Sequence, residues 1–209
     1  MQPSYSRFFF RLLTLAPLLF SCSVHAAELT VNVTDAAGSP LPDAVVYAEP
    51  TGKAPVTAIA TAAIEQKNRQ FYPLVSVIQT GASVTFPNRD KVKHHVYSFS
   101  PAKTFELKLY SGIPSTPVIF DKAGTVVLGC NIHDQMLAFI RVVDTPYFAL
   151  SDSTGKATIS NLPNGPYTLK TWHYAQSNEN TVAEKSLTIK ADEQAAVKLD
   201  INTSALQKR

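Results

Sequence analysis

Sulfur-containing residues are scarce in this chain of 209 residues, which has two cysteines and two methionines. The cysteines are Cys22 and Cys130, and the methionines are Met1 and Met136. So few cysteines exclude a framework of several disulfide bonds. An excess of one charge is also missing, because 19 Lys and Arg residues face 16 Asp and Glu residues. This balance gives no electrostatic case for nucleic-acid binding.

Several sequence motifs of enzymes are absent too. The chain has no glycine-rich loop of the kind that cradles phosphates, and it has no Gly-x-Ser-x-Gly sequence. A nucleotide site and a serine nucleophile therefore find no support. The carboxylates are scattered along the chain and form no acid/base pair. We therefore expect a protein that is not an enzyme.

The first 26 residues have the pattern of a secretory signal peptide. Arg7 and Arg11 form a short basic start, residues 12–20 (LLTLAPLLF) are mostly apolar, and Val24, His25 and Ala26 follow. The apolar run is too short for a bilayer, which needs about 20 residues. We expect cleavage near Ala26 and export to the periplasm. The alternative is a lipoprotein anchored at Cys22, since residues 19–22 (LFSC) resemble a lipobox.

The remainder of the chain is rich in strand signals. Residues 29–34 alternate with period two, and many short β-rich runs follow, separated by turns. Strands are predicted at 29–34, 44–48, 71–79, 82–86, 95–100, 118–120, 124–128, 137–143, 157–159, 167–172 and 185–189. Residues 58–68 are compatible with a short helix or an irregular strand. With 14 prolines in the chain, this pattern predicts an all-β sandwich class.

One short segment gathers the soft metal ligands of the mature chain. Cys130, His133 and Met136 lie within seven residues, and His94 and His95 lie upstream. A thiolate, two imidazoles and a weak axial methionine form the ligand set of a mononuclear electron-transfer copper site. The ligands fall on a loop between two predicted strands, where functional residues are expected. The sequence therefore predicts a copper site.

Each of these residues also has a plain structural interpretation. Cys130 and Met136 could be core residues, and His133 could be a surface histidine. Their combination within seven residues favours a metal. Zinc is the main rival, but methionine is a poor zinc ligand and structural zinc sites usually take four Cys or His ligands.

At these residues the chain resembles the cupredoxins, the small blue copper proteins, with an amicyanin/plastocyanin-like ligand loop. The Cys130-x-x-His133-x-x-Met136 spacing carries the resemblance, together with residues 84–96, which are similar to the segment of the first histidine ligand. The resemblance covers about residues 68–144. It implies a cupredoxin-like Greek-key β-sandwich with one type 1 copper ion on His94, Cys130, His133 and Met136. His95 then either supports the ligands from outside the copper coordination or is the alternate ligand, and a comparison that places Phe99 four residues after the ligand favours His95.

The flanking segments resemble carboxypeptidase-regulatory-like, or transthyretin-like, domains. The patterns at residues 31–46 and 152–169 carry this resemblance. The whole arrangement is similar to exported proteins of the methylamine utilization type. The implied organisation is a signal peptide (1–26), the first part of a regulatory-like sandwich (27–50), a copper domain (51–144), the second part of that sandwich (145–203) and a flexible tail (204–209).

Three functions are compatible with this reading. The first is one-electron transfer between periplasmic redox proteins, with copper as the cofactor. The second is copper binding or delivery without a redox role, since His95 would add an imidazole. The third is a cell-envelope interaction module that docks to a protein through the flanking sandwich.

Overall fold

The computed structural model describes residues 26–52, 60–114, 116–178 and 181–203. Within these ranges the backbone forms β-strands and no α-helix, so the predicted all-β sandwich class is confirmed. None of the described residues forms a helix that could cross a membrane. Residues 1–25 of the predicted signal peptide, Cys22 among them, and the tail at 204–209 lie outside the described residues.

Seventeen strands are found in the part of the chain that the structure describes. They are β1 (Ala27–Thr34), β2 (Val45–Pro50), β3 (Thr61–Ala63), β4 (Glu65–Lys67), β5 (Gln70–Tyr72), β6 (Val75–Gln79), β7 (Ser83–Thr85), β8 (His94–Ser100), β9 (Lys103–Tyr110), β10 (Val118–Ile119), β11 (Gly124–Gly129), β12 (Leu137–Val143), β13 (Phe148–Leu150), β14 (Lys156–Leu162), β15 (Gly165–Trp172), β16 (Ala183–Ile189) and β17 (Glu193–Lys198).

The two ends of the described chain form one sandwich, here named the flanking sandwich. One sheet has the order β14-β1-β17 and the other has the order β13-β2-β15-β16. Strand β1 shows why these residues pair: every second side chain is buried, as expected for a strand with one face on a core. Leu29, Val31 and Val33 from β1 pack in one cluster with Ala48 and Leu169 of the opposite sheet.

The middle of the chain forms the second sandwich, here named the central sandwich. Its sheets have the orders β10-β7-β3 and β6-β12-β11-β8-β9. Val84 from the small sheet packs in one cluster with Leu128 and Ile140 from the large sheet. Cys130 and Met136 belong to the same cluster, so the predicted ligand loop is anchored in this core.

The two sandwiches contact each other through a third apolar cluster. Tyr47 and Trp172 of the flanking sandwich pack there with Val75 and Val143 of the central sandwich. The chain leaves the flanking sandwich after β2 and returns to it at β13. Whether the two sandwiches are separate domains with limits at 50 and 144 stays a prediction.

Several segments differ from the sequence prediction, which placed no strand at β9, β13 or β17. The strand expected at 71–79 is divided into β5 and β6 by Pro73, because proline has no N–H for the β-ladder. Residues 61–67, whose type was left open, form the short strands β3 and β4.

Candidate metal centre

The ligand loop is held by two neighbouring antiparallel strands. Gly129, the last residue of β11, pairs with Leu137, the first residue of β12. Cys130 therefore follows the end of one strand and Met136 precedes the start of the next. Inside the loop, the Met136 N–H donates to the His133 carbonyl oxygen at 2.9 Å. These anchors fix both ends of a loop that could supply three ligands.

His94 reaches the same place from a different strand. It is the first residue of β8, which lies beside β11 in the large sheet. The potential ligand atoms of His94, Cys130 and His133 all lie within 4.8 Å of one another. The two imidazole rings are 5.1 Å apart in an edge-on arrangement. Three side chains from two separate segments thus converge on one point, as a metal site requires.

One ring nitrogen of His94 and one of His133 lack a hydrogen-bond partner among the described residues. Both atoms, His94 Nδ1 and His133 Nδ1, are buried. Buried polar atoms are nearly always hydrogen-bonded, so an unpaired one calls for an explanation such as an ion. With Cys130 itself buried, at 3 % exposed, the donor set is two unpaired imidazole nitrogens and one thiol. This set fits a soft or borderline metal ion.

Met136 lies beside the other members of the loop. Its side chain is 1 % exposed and belongs to the apolar cluster that contains Cys130. A buried thioether at this position could add a weak fourth ligand. Ligation by Met136 stays a prediction.

His95 is not among the three converging side chains. Its Nε2 lies 2.8 Å from the Glu106 carboxylate, and its ring is next to Tyr97 at 5.5 Å. The pairing of β8 with β9 is irregular between His94 and Val96, and the two adjacent histidines have different surroundings. The structure thus brings His94, and not His95, to Cys130 and His133.

Asp90 orients His94, a role that the sequence analysis did not assign. His94 Nε2 lies 2.8 Å from Asp90 Oδ2. If Nε2 carries the proton and donates, the neutral ring keeps its lone pair on Nδ1, the unpaired nitrogen. A carboxylate behind a histidine ligand is a common way to fix the tautomer and the ring direction. The four-residue interval between Asp90 and His94 is no signal of this contact, because such an interval indicates neighbours in a helix and these residues lie in a loop and at the start of a strand.

The Asp90 carboxylate is itself well held. It accepts the backbone N–H groups of Asn68 at 2.8 Å and Arg69 at 2.9 Å. Burial favours a higher pKa for Asp90, but the hydrogen bonds from Arg69, His94 and Asn68 together outweigh it and lower the pKa. The carboxylate is therefore ionised near neutral pH and can accept all three donors.

A polar network supports the other side of the loop that carries Asp90. Asn88 Nδ2 donates to the carbonyl oxygens of Val92 at 2.8 Å and Tyr110 at 2.9 Å. Tyr110 pairs with His94 across β8 and β9, and its hydroxyl donates to the Phe86 carbonyl oxygen. Burial raises the pKa of Tyr110 to about 12. The neutral phenol is thus a structural hydrogen-bond donor.

Gly129, next to Cys130, has no room for a side chain. A Cβ atom there would lie 2.6 Å from Cζ and 2.7 Å from the hydroxyl oxygen of Tyr97. The two residues are opposite each other in the pairing of β11 with β8. The Tyr97 ring therefore covers the backbone that leads into Cys130.

The comparisons with known proteins identify structural neighbours only. No protein-family model matches the chain, and no curated protein matches it. A copper-containing nitrite reductase from Thermus scotoductus SA-01 matches 46 % of this chain with 23 % identity and a TM-score of 0.38, over 25 % of its own length. A purple cupredoxin from Nitrosopumilus maritimus matches 39 % of the chain with 21 % identity and a TM-score of 0.35, over 99 % of its length.

A mutant of amicyanin in its reduced Cu(I) form at pH 4 is a further neighbour. It matches 46 % of the chain with 17 % identity and a TM-score of 0.37, over 99 % of its length. Each match covers less than half of this chain. The chemistry of the side chains, rather than these similarities, supports the function proposed below.

Proposed function

We propose that this chain is an exported, non-enzymatic protein that binds one copper ion through His94, Cys130, His133 and Met136 and transfers single electrons. The observation that carries the proposal is the convergence of the first three side chains within 4.8 Å. His94 Nδ1 and His133 Nδ1 are also buried without a hydrogen-bond partner; His95 Nδ1 shares this property but lies outside the converging group.

Copper fits the donor set better than zinc does. Three of the four proposed ligands are a thiol and two imidazoles, which both metals accept. The fourth is the buried thioether of Met136, which suits Cu(I) and is a poor ligand for zinc. Bound copper would supply a one-electron Cu(I)/Cu(II) couple.

The proposed site is buried on one side and partly exposed on the other. The side chain of His94 is fully buried and is fixed by Asp90, and Cys130 lies in the core cluster. His133 is half-exposed, and its neighbour Ile132 is exposed. His133 is therefore the one partly exposed residue of the four proposed ligands, and we assign its edge as the electron exit.

Copper delivery without a redox role is the second candidate. A third imidazole in the site would favour tighter binding, and His95 Nδ1 is buried without a hydrogen-bond partner. His95 is not among the side chains that converge with Cys130, however, and its Nε2 is paired with Glu106. The remaining proposals follow from the sequence alone. Periplasmic location follows from the signal-peptide pattern, while a regulatory-like flanking sandwich, a protein redox partner and a link to methylamine utilization follow from the resemblances.

The proposal is tested by titrating the mature chain with Cu(II) and recording its optical spectrum. We expect one copper ion per chain, an intense visible thiolate-to-copper band and reversible bleaching of that band in a spectroelectrochemical cell. Cys130→Ser should lose the band. Uptake of copper without the band would favour delivery, and no uptake at all would refute the metal site.

Two histidine variants make a matched pair for the same titration. His94→Gly should lose the wild-type band and regain it with added imidazole, because the ring is a ligand. His95→Gly removes the same ring from the next position and should leave the stoichiometry and the band in place. The reverse pattern would assign the ligand role to His95.

A further inference from the structure

Cationic side chains gather in two short segments next to His94. Residues 67–69 and 89–93 include five cationic residues and one anionic residue, while the net charge of the entire chain is only +3. Arg89 is paired with Glu65. Lys67, Arg69, Lys91 and Lys93, here named the basic rim, are exposed. Within the described ranges they form no ion pair.

The basic rim is tied to the metal centre by Asp90. The Asp90 carboxylate accepts the N–H groups of Asn68 and Arg69 from one loop and lies 2.8 Å from His94 Nε2. Lys91 and Val92 line the same surface depression as Asn68 and Arg69. The one anionic group among these loops is therefore turned to internal donors, and the cations remain on the surface beside the site.

Exposed apolar residues accompany both the rim and the proposed electron exit. The His133 ring is 5.1 Å from the His94 ring, and the neighbouring Ile132 is 48 % exposed. Val92, which lies between two of the rim lysines in sequence, is 42 % exposed. The surroundings of the site thus combine the four cations of the rim and two exposed apolar side chains with one exposed anion, Asp134, beside the half-exposed His133 imidazole.

We infer that this surface docks an acidic redox protein, whose carboxylates face the basic rim while its redox group approaches His133. The inference rests on the proposed function. Four unpaired cations repel one another, and an oppositely charged partner relieves this repulsion and is steered toward the site. A protein is favoured over a lipid surface because the His133 edge must come close to a redox group for an electron to pass.

The first test uses two small oxidants of opposite charge on the Cu(I)-loaded chain. Hexacyanoferrate(III) is an anion and tris(phenanthroline)cobalt(III) is a cation; each accepts one electron from Cu(I), which becomes Cu(II), and no proton moves. Lys67→Glu/Lys91→Glu should slow oxidation by the anion roughly tenfold at low ionic strength and speed oxidation by the cation. Both effects should disappear at about 1 M salt, where the Debye length is about 3 Å.

A distant double variant provides the matched control. Lys185 and Lys190 are exposed residues at the end of the flanking sandwich sequence, and Lys185→Glu/Lys190→Glu makes the same change in net charge. Its rates with both oxidants should stay within about twofold of the wild type, because screening limits distant charges. Equal effects of the two double variants would show that only net charge matters and would overturn the inference.

The second test needs no copper. The metal-free, 15N-labelled chain is titrated with a hexaglutamate peptide, and we expect amide shifts in residues 67–69 and 91–93 that Lys67→Glu/Lys91→Glu abolishes. The chain is also tested for binding to phosphatidylglycerol vesicles at physiological salt. If it binds them, loses this binding in the double variant and does not respond to hexaglutamate, the inference is overturned in favour of a membrane surface.

The outcomes separate the two proposals. Absence of the copper–thiolate band would refute the proposed function, while the peptide titration would still test the surface. A normal band with oxidation rates that do not depend on oxidant charge, rim charge or salt would refute the surface alone.

Discussion

Replacing Asp90 with asparagine tests whether a carboxylate outside the ligand set controls the metal centre. Both oxygens of Asp90 are used, one by Asn68 N–H and the other by Arg69 N–H and His94 Nε2. Asparagine has almost the same shape, but it replaces one acceptor oxygen with an NH2 group. At least one of the three donors then faces another donor.

The expected loss can be worked out from this arrangement. A hydrogen bond to a charged group contributes about 1.5–3 kcal/mol, and mutation of such outer residues typically lowers metal affinity about 10–100-fold. The two figures agree, because each factor of ten corresponds to about 1.4 kcal/mol. We therefore expect Asp90→Asn to weaken Cu(I) binding about 10–100-fold.

The assay is competition for Cu(I) with a chromophoric chelator under conditions where the metal-free chain is folded. Asp134→Asn is the matched control. It makes the same chemical change at a residue that is exposed in the ligand loop next to His133. It should bind Cu(I) within about threefold of the wild type. Wild-type affinity in Asp90→Asn, or equal losses in both variants, would refute the role of Asp90 in orienting His94.

Three further predictions concern stability and are measured by denaturant unfolding of the metal-free chain. Gly129→Ala places a methyl group against the Tyr97 ring and should cost roughly 1–3 kcal/mol; the penalty should vanish in a Tyr97→Ala background, and its persistence there would contradict the steric cause. Arg141 donates to Thr125 and Tyr47 at 2.9 and 3.0 Å and lies over two aromatic rings at the contact of the sandwiches. Arg141→Met should therefore cost about 2–4 kcal/mol, and a loss under 1 kcal/mol would exclude this contribution. Burial lowers the pKa of His173 from 6.5 to about 4, so the unfolded chain binds a proton before the folded chain does. The free energy of unfolding should fall by up to about 3 kcal/mol as the pH drops from about 6.5 to 4. His173→Gln should remove this part of the slope, and an unchanged slope would contradict it.

The sequence predicted the class of the fold and the place of the ligand loop. Period-two alternation located β1 and the runs around Cys130 and Met136, and β12 has the predicted limits 137–143. The sequence analysis did not locate β9 (Lys103–Tyr110), although apolar and polar residues alternate there too. The side chains of β9 are half-buried or exposed, and none is fully buried. The sequence prediction placed no break at Pro73 in the run 71–79, although proline is a break signal.

The convergence of His94 with Cys130 depends on strand order, which a single sequence does not reveal. β8 and β11 are neighbours although residues 101–123 separate them. The role of Asp90 was missed because its other partners, Asn68 and Arg69, come from a turn more than 20 residues away. The basic rim was missed because the near balance of total charge hides cations that the fold gathers at one end.

X-ray absorption at the copper edge of the Cu(I)-loaded chain tests the ligand set most directly. We expect one short copper–sulfur distance that Cys130→Ser removes, and imidazole scattering that decreases in His94→Gly and His133→Gly but not in His95→Gly. A copper environment without a thiolate sulfur, or imidazole scattering that depends on His95 instead of His94, would contradict the account.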